Sequence, residues 1–203
     1  MSLVPVMLHA ESIAALVVGG GRVGARRALA LIDAGAAVRV VAPSLDERLR
    51  DAAAREPRLR LLARAFAPDD LDGATLVVAA TDDRCVNDEV ARLARAGGQL
   101  VTVADHPEAG TFSNAAVHRA GRLVVAVAAG GVPTAAARVR DAIADRLDDR
   151  YEQAIDRLAA LRERLLGGGD ADGWRRAAAE LTGPDFATAV ESGTFAERVR
   201  QWG

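Results

Sequence analysis

The stretch Leu16-Val17-Val18-Gly19-Gly20-Gly21-Arg22-Val23-Gly24 constrains this chain more than any other. An apolar run suited to a buried strand passes directly into Gly19-x-Gly21-x-x-Gly24. A helical pattern from Arg22 to Ala34 follows, with Gly35 as its stop. At this spacing the first glycine permits a tight turn and the second lets the backbone approach a pyrophosphate. The third allows the helix to pack closely on the strand. The helix N-terminus adds free N–H groups and the positive end of its dipole. Strand, turn and helix together predict a dinucleotide held at Gly19, Gly21, Arg22, Val23 and Gly24.

The pattern then repeats. Val38–Ala42 reads as a second strand, and Ser44 with Glu47 three residues on reads as a capping box opening a helix that Pro57 closes. Leu59–Phe66 is a third strand and Ala74–Ala80 a fourth, running into Thr81-Asp82-Asp83, which can cap a helix over Arg84–Ala96. Gln99–Ala104 is a fifth strand ending at Asp105. Short connections and buried-type strands predict an α/β fold, a Rossmann-type parallel sheet of order 3-2-1-4-5. Its ligand crevice would lie between the first and fourth strands. After Asp105 come a linker at 106–110, strands Thr111–His118 and Leu123–Ala128, and a long helix Pro133–Leu166. A glycine joint at 167–170 and two or three short helices follow. The expected organisation is a dinucleotide-binding domain at 1–110, a dimerisation segment of two strands plus a helix at 111–150, and a helical region at 151–203. The middle segment is too small for a core of its own, so it predicts twofold pairing with a second copy.

Composition removes several classes. Half of the 203 residues are apolar, enough for a core, and the formal net charge of −2 argues against a nucleic-acid or membrane-surface binder. All 26 basic residues are arginine, which excludes Schiff-base chemistry, a P-loop lysine and a lysine base, and leaves any anion site with forked donors. A single cysteine, Cys85, excludes an internal disulfide or a multi-cysteine metal site, and no His/Asp/Glu spacing resembles a metal site. The first fifteen residues lack the basic and apolar regions of a signal peptide, and no apolar run is long enough to span a bilayer. A cytoplasmic location is expected.

Candidate ligand contacts sit at strand ends. The usual acid after the second strand is missing; Ala42-Pro43-Ser44 stands there, with Asp46 slightly late, so the ribose hydroxyl is expected to meet Ser44, Asp46 or backbone. Arg39 lies inside the strand and Arg48 a turn into the helix, so neither suits a 2′-phosphate, and NAD is expected over NADP. Thr81 and Asp82 face the glycine loop across the crevice, as helix caps and as neighbours of the nicotinamide half. Asn87 is either a polar neighbour of that site or a solvated helix residue. Asp105 is either a turn-forming residue before His106-Pro107 or a catalytic carboxylate. Gly130-Gly131 ahead of Pro133 is either a strand-to-helix turn or a second close approach to an anion. Arg119, Arg122, Arg138 and Arg140 are either solvated or donors to a polycarboxylate.

Four stretches together resemble one family. Val17-Val18-Gly19-Gly20-Gly21-x-Val23-Gly24-x-Arg26-Arg27, Ala79-Ala80-Thr81-Asp82-Asp83-x-x-Val86-Asn87, Val103-Ala104-Asp105-x-Pro107 with Thr111-Phe112, and Ala126-Val127-x-x-Gly130-Gly131 ahead of Ala137-Arg138 follow in order. They resemble the precorrin-2 dehydrogenase/sirohydrochlorin ferrochelatase family, the N-terminal module of sirohaem synthase, over roughly residues 8–150. The resemblance implies NAD-dependent oxidation of precorrin-2 to sirohydrochlorin, with Fe²⁺ inserted as a further substrate by some members. It also implies a homodimer and a catalytic role for Asp105. Asn87, Arg119 and Arg138 are the expected substrate contacts, and no resident metal is expected. The methyltransferase domain of fused members has no room in 203 residues. Departures are Ala115 where a proline is common, Thr102 where an asparagine is common, and Val132-Pro133-Thr134 where Ser-Pro is common. The alternatives are a dehydrogenase served by a separate chelatase, and a non-catalytic NAD-sensing module.

Overall fold

A computed structural model describes residues 3–202 and divides the chain between Asn114 and Ala115 into two compact units. The first unit holds five strands, β1 (Ala14–Val18), β2 (Ala37–Val41), β3 (Leu59–Leu62), β4 (Leu76–Ala79) and β5 (Leu100–Val103). All pair in parallel in the order β3-β2-β1-β4-β5, so the expected α/β class and strand order are borne out. Between them run α1 (Arg22–Ala34), α2 (Glu47–Ala53) and α3 (Arg84–Ala96).

Alternation along the strands sorts the core into two layers. Ala15 and Val17 of β1 pack with Val38, Val40 and Val78 against Ala25, Ala28 and Ile32 of α1 and Leu49 of α2. Leu16 and Val18 point the other way, with Val77, Val101 and Val103, against Val90, Ala91 and Ala94 of α3. The central strand is therefore covered on both faces, which is why it reads as an unbroken apolar run. Alanines on both helices let the backbones come close to the sheet. α1 and α3 have the bounds read from the sequence, because their stops are local: Gly35 ends α1 at φ 109°, and the Asp83 side chain accepts from the N–H groups of Cys85 and Val86 at the start of α3.

Other boundaries shift. The cap of α2 is Asp46, not Ser44; its carboxylate accepts from Arg48 N at 3.0 Å and from the Arg48 guanidinium at 2.9 and 2.8 Å. β3 stops at Leu62 rather than Phe66, because Arg64 turns to Asp70 with two bonds of 2.7 and 2.5 Å. The segment after the fifth strand does not pair at once. Thr111 is tied back to β5, donating its N–H to Val101 O at 2.7 Å and accepting from Val101 N at 2.9 Å.

The Arg64–Asp70 pair carries a prediction for the first unit. Asp70 is buried, and its carboxylate also accepts from Ala67 N at 2.8 Å. The Arg64 hydrogen bonds hold it below the usual carboxylate range against the opposing cost of burial. The stabilisation is therefore full above the unfolded value of ~4 and is lost as pH falls through the lowered folded value. Asp70→Asn should cost about 1–2 kcal/mol at neutral pH, discounted because Arg64 is half exposed. Its stability should then fall less steeply on acidification than the wild type's. Urea denaturation from pH 7 to 3 checks both; parallel acid limbs would contradict the assignment.

The second unit opens with an antiparallel hairpin, β6 (Ala116–Ala120) and β7 (Leu123–Val127), turned by Gly121-Arg122 with Gly121 at φ 53°. α4 (Pro133–Ala144) packs on the hairpin. The single helix expected over Pro133–Leu166 is two helices. α4 ends, and α5 (Asp149–Gly167) starts afresh with Asp148 accepting from Arg150 N, a cap that competes with helix continuation. α5 packs with α6 (Ala171–Leu181), α7 (Phe186–Glu191) and α8 (Phe195–Arg200) around Leu158, Leu161, Ala177, Leu181 and Phe195. The edge-to-face Phe186–Phe195 pair, with centroids 5.2 Å apart, belongs to this core. One compact unit thus spans hairpin and helices, crossing the expected break at 150.

Candidate dinucleotide site

A cleft of about 730 Å³ opens at the C-terminal ends of β1, β2 and β4. Its walls include Gly19 to Val23, Ser44, Asp46, Thr81 and Asp82, so the expected residues Gly19, Gly21, Arg22, Val23, Ser44, Thr81 and Asp82 come together. Gly24 lies beneath and serves packing. A Cβ there would stand 2.0 Å from Gly19 O, and one at Gly19, itself at φ 116°, would stand 2.3 Å from Ala80 O. Gly21 is the opposite case: a Cβ would meet nothing within 4 Å, and the added atom would project into open space.

Helix capping shows what that space suits. α2 and α3 carry carboxylate caps, whereas Gly21, the N-cap of α1, makes no side-chain cap. The first N–H groups of α1 therefore lack intrahelical partners and face the cleft with the dipole's positive end. A pyrophosphate satisfies both, so the residues present fit a dinucleotide.

At the second-strand end, neither nearby arginine is free for a phosphate. Arg39 donates to the carbonyls of Asp70 and Asp72 at 2.6 and 2.9 Å, and Arg48 is engaged by Asp46. The Arg48 hydrogen bonds hold Asp46 at a pKa of about 2, so it is a carboxylate across the working range. Leu45, Ala65 and Phe66 form an apolar wall beside them. These were not singled out by sequence reasoning; the available signal was their place just past the ends of β2 and β3, where a parallel sheet presents its ligand.

On the other side of the cleft, Thr81 follows β4 and Asp105 follows β5, with Asn87 between them on α3. Asn87 is fully buried. Its Oδ1 accepts from Thr81 N at 3.0 Å and lies 2.8 Å from Thr81 Oγ1; its Nδ2 donates to Thr81 O at 3.1 Å and to Asp105 Oδ1 at 3.2 Å. As a direct substrate contact Asn87 is thus displaced: burial and four neighbours leave its amide nothing to offer a ligand. Asp105 itself is exposed, and its carboxylate's sole hydrogen bond among the described residues comes from Asn87. The 106–110 turn is held by the carbonyls of His106 and Pro107, not by that carboxylate. Arg119 on β6 and Arg138 on α4 are exposed and belong to the second unit, as does the Gly130-Gly131 turn. Among the described residues no cluster of three His, Cys, Asp or Glu side chains is placed to hold a metal, and no helix is long and apolar enough to cross a membrane.

Comparison with known proteins agrees with this geometry. The chain is 41% identical over 165 residues to a siroheme synthase of Pseudomonas entomophila (strain L48), covering 81% of this chain and 35% of that protein. It is 40% identical over 160 residues to a siroheme synthase of Methylobacillus flagellatus (strain ATCC 51484 / DSM 6875 / VKM B-1610 / KT), covering 79% and 33%. The chain spans about a third of the length of the curated relatives it matches. The solved structure of SirC, precorrin-2 dehydrogenase, superposes with a TM-score of 0.79 at 26% identity, covering 98% of this chain and all of that one. The resemblance carried by the motifs is borne out. Residues 6–116, more than half of the chain and the whole cleft with them, match the NAD_binding_7 model described as "Putative NAD(P)-binding", and the chain belongs to that family.

Proposed function

We propose that the chain oxidises precorrin-2 to sirohydrochlorin with NAD, on the route to sirohaem. One observation carries the reading: an exposed carboxylate, Asp105, is joined through Asn87 to Thr81 in the wall of a cleft whose helix N-terminus is uncapped. The names of the relatives, siroheme synthase and precorrin-2 dehydrogenase, support the same chemistry.

The reaction takes one hydride and one proton from the reduced macrocycle. A bound nicotinamide supplies the hydride acceptor. Gly19, Gly21, Arg22 and Val23 hold the pyrophosphate on a turn that Gly24 packs from beneath, Ser44 meets the ribose, and Thr81 and Asp82 flank the nicotinamide half. An Asp105 carboxylate oxygen takes the proton and, being exposed, returns it to water. Arg119 and Arg138, exposed and without an ion pair among the described residues, offer forked donors to the substrate's carboxylates. NAD is favoured over NADP because Arg39 and Arg48 are both engaged. Where Fe²⁺ is inserted, it enters as a substrate held by the macrocycle, and Asp105 accepts a pyrrole proton.

Purified protein with precorrin-2 and NAD should form NADH and sirohydrochlorin in equal amounts. Tight NAD binding without turnover would instead make it a sensing module. Sirohydrochlorin with Fe²⁺ and no NAD separates a bifunctional enzyme from a dehydrogenase alone. A homodimer is part of the proposal: a lone two-stranded sheet is marginal in water, and Val117, Val132 and Val139 are exposed in this unit. Light scattering at micromolar concentration should give twice the mass of one chain; a monomer would refute it.

A further inference from the structure

Asn87 sits where a helix residue has no packing reason to be polar. It lies on the face of α3 that packs on the sheet, beside Val90, Ala91 and Ala94, and is fully buried. Burying an amide there is costly unless each of its groups is paired. Among the described residues its partners are two strand ends: the Thr81 backbone and hydroxyl after β4, and the Asp105 carboxylate after β5. Chemistry also fixes which way the amide faces. Thr81 N can only donate and Thr81 O can only accept, so Oδ1 must meet the first and Nδ2 the second. The remaining N–H of Nδ2 then points at Asp105. Turning the amide over would set Oδ1 against both a carbonyl and a carboxylate.

This arrangement does two things for Asp105. One carboxylate oxygen is pinned by a donor held in place, because the same amide is anchored on both the N–H and the C=O of Thr81. The other oxygen is left unpaired for a proton. The anchor is also a wall of the dinucleotide cleft, so the distance from cleft to carboxylate is set by one rigid side chain rather than by the 106–110 turn.

We infer that Asn87 is a positioning residue: it orients the Asp105 carboxylate for proton removal and registers it against the cleft through Thr81. The inference rests on Asp105 being the base and adds what holds it in place. A misplaced catalytic group typically costs on the order of 10²-fold, so Asn87→Ala should lower kcat by ~10- to 100-fold with the KM for precorrin-2 and the NAD Kd little changed.

The deciding measurement is a double-mutant cycle with Asp105→Asn, alongside the side-chain amide resonances of Asn87 in nitrogen-15-labelled protein. If Asn87 acts through Asp105, its loss in the Asp105→Asn background should cost under about twofold in kcat, because the group it positions is already gone. The Asn87 Nδ2 proton resonances should also move in Asp105→Asn. Equal kcat losses in both backgrounds would overturn the inference and leave a structural role. Should Asn87→Ala not fold, the resonances decide: unmoved by Asp105→Asn, they show no contact and sink the idea. An Asp105→Asn protein that turns over normally refutes the base itself, which is a different failure from additive losses.

Discussion

Asp105→Asn is expected to lower turnover of precorrin-2 by ~10² to 10⁴, the usual range for removing a general base, while leaving the fold and NAD affinity intact. The fold should survive because the side chain is exposed and takes no part in the turn that follows; His106 and Pro107 hold that turn with their carbonyls. The contact with Asn87 should survive too, since an amide oxygen at position 105 accepts from Nδ2 as the carboxylate does. NAD affinity should hold because Asp105 is not among the residues lining the cleft. What is lost is basicity alone. A turn-forming aspartate would behave in the reverse way, with a lower melting temperature and near-normal turnover per folded molecule. Melting temperature, NAD titration and NADH formation on one preparation separate the two. A destabilised variant that still turns over near the wild-type rate would end the catalytic assignment.

How much of this was legible before the structure depends on how far each determinant lies from the residue it decides. The bounds of α1 and α3 read correctly because Gly35 and Asp83 act within one helical turn. The start of α2 did not, because Ser44 and Asp46 are both good caps and the choice falls to Arg48, which grips only Asp46. β3 was read too long because its end is set by Asp70, six residues beyond Arg64, in a pair no periodicity reveals. Asn87 reads from the sequence as a polar neighbour of the site or a solvated helix residue, and the structure buries it. Its burial follows from Thr81 and from Asp105, eighteen residues away, and polarity in a helix gives no hint of which way it faces. Arg119 and Arg138 show the same limit from the other side: as types they suit a polycarboxylate, but their place relative to the cleft is not a local property.

Gly21→Asp is expected to abolish dinucleotide binding while keeping or raising stability, a combination that ordinary damage to a fold cannot produce. Gly21 sits at φ −76° and ψ −173°, open to any residue, and a Cβ there meets nothing within 4 Å. An aspartate at this N-cap would accept from the first N–H groups of α1, as Asp46 does for α2 and Asp83 for α3, a change worth a few tenths of a kcal/mol over glycine. Those N–H groups are the ones proposed to hold the pyrophosphate. Losing two charge-assisted bonds, at ~1.5–3 kcal/mol each, predicts a rise in the NAD Kd of at least ~100-fold. The new carboxylate adds repulsion on top. Gly24→Ala is the contrast, because its Cβ would lie 2.0 Å from Gly19 O and the loop itself must give way. That variant should lose both binding and stability. Calorimetric NAD titration and thermal melting of the two proteins test the distinction. A Gly21→Asp protein that binds NAD within threefold of wild type would place the pyrophosphate somewhere other than the α1 N-terminus.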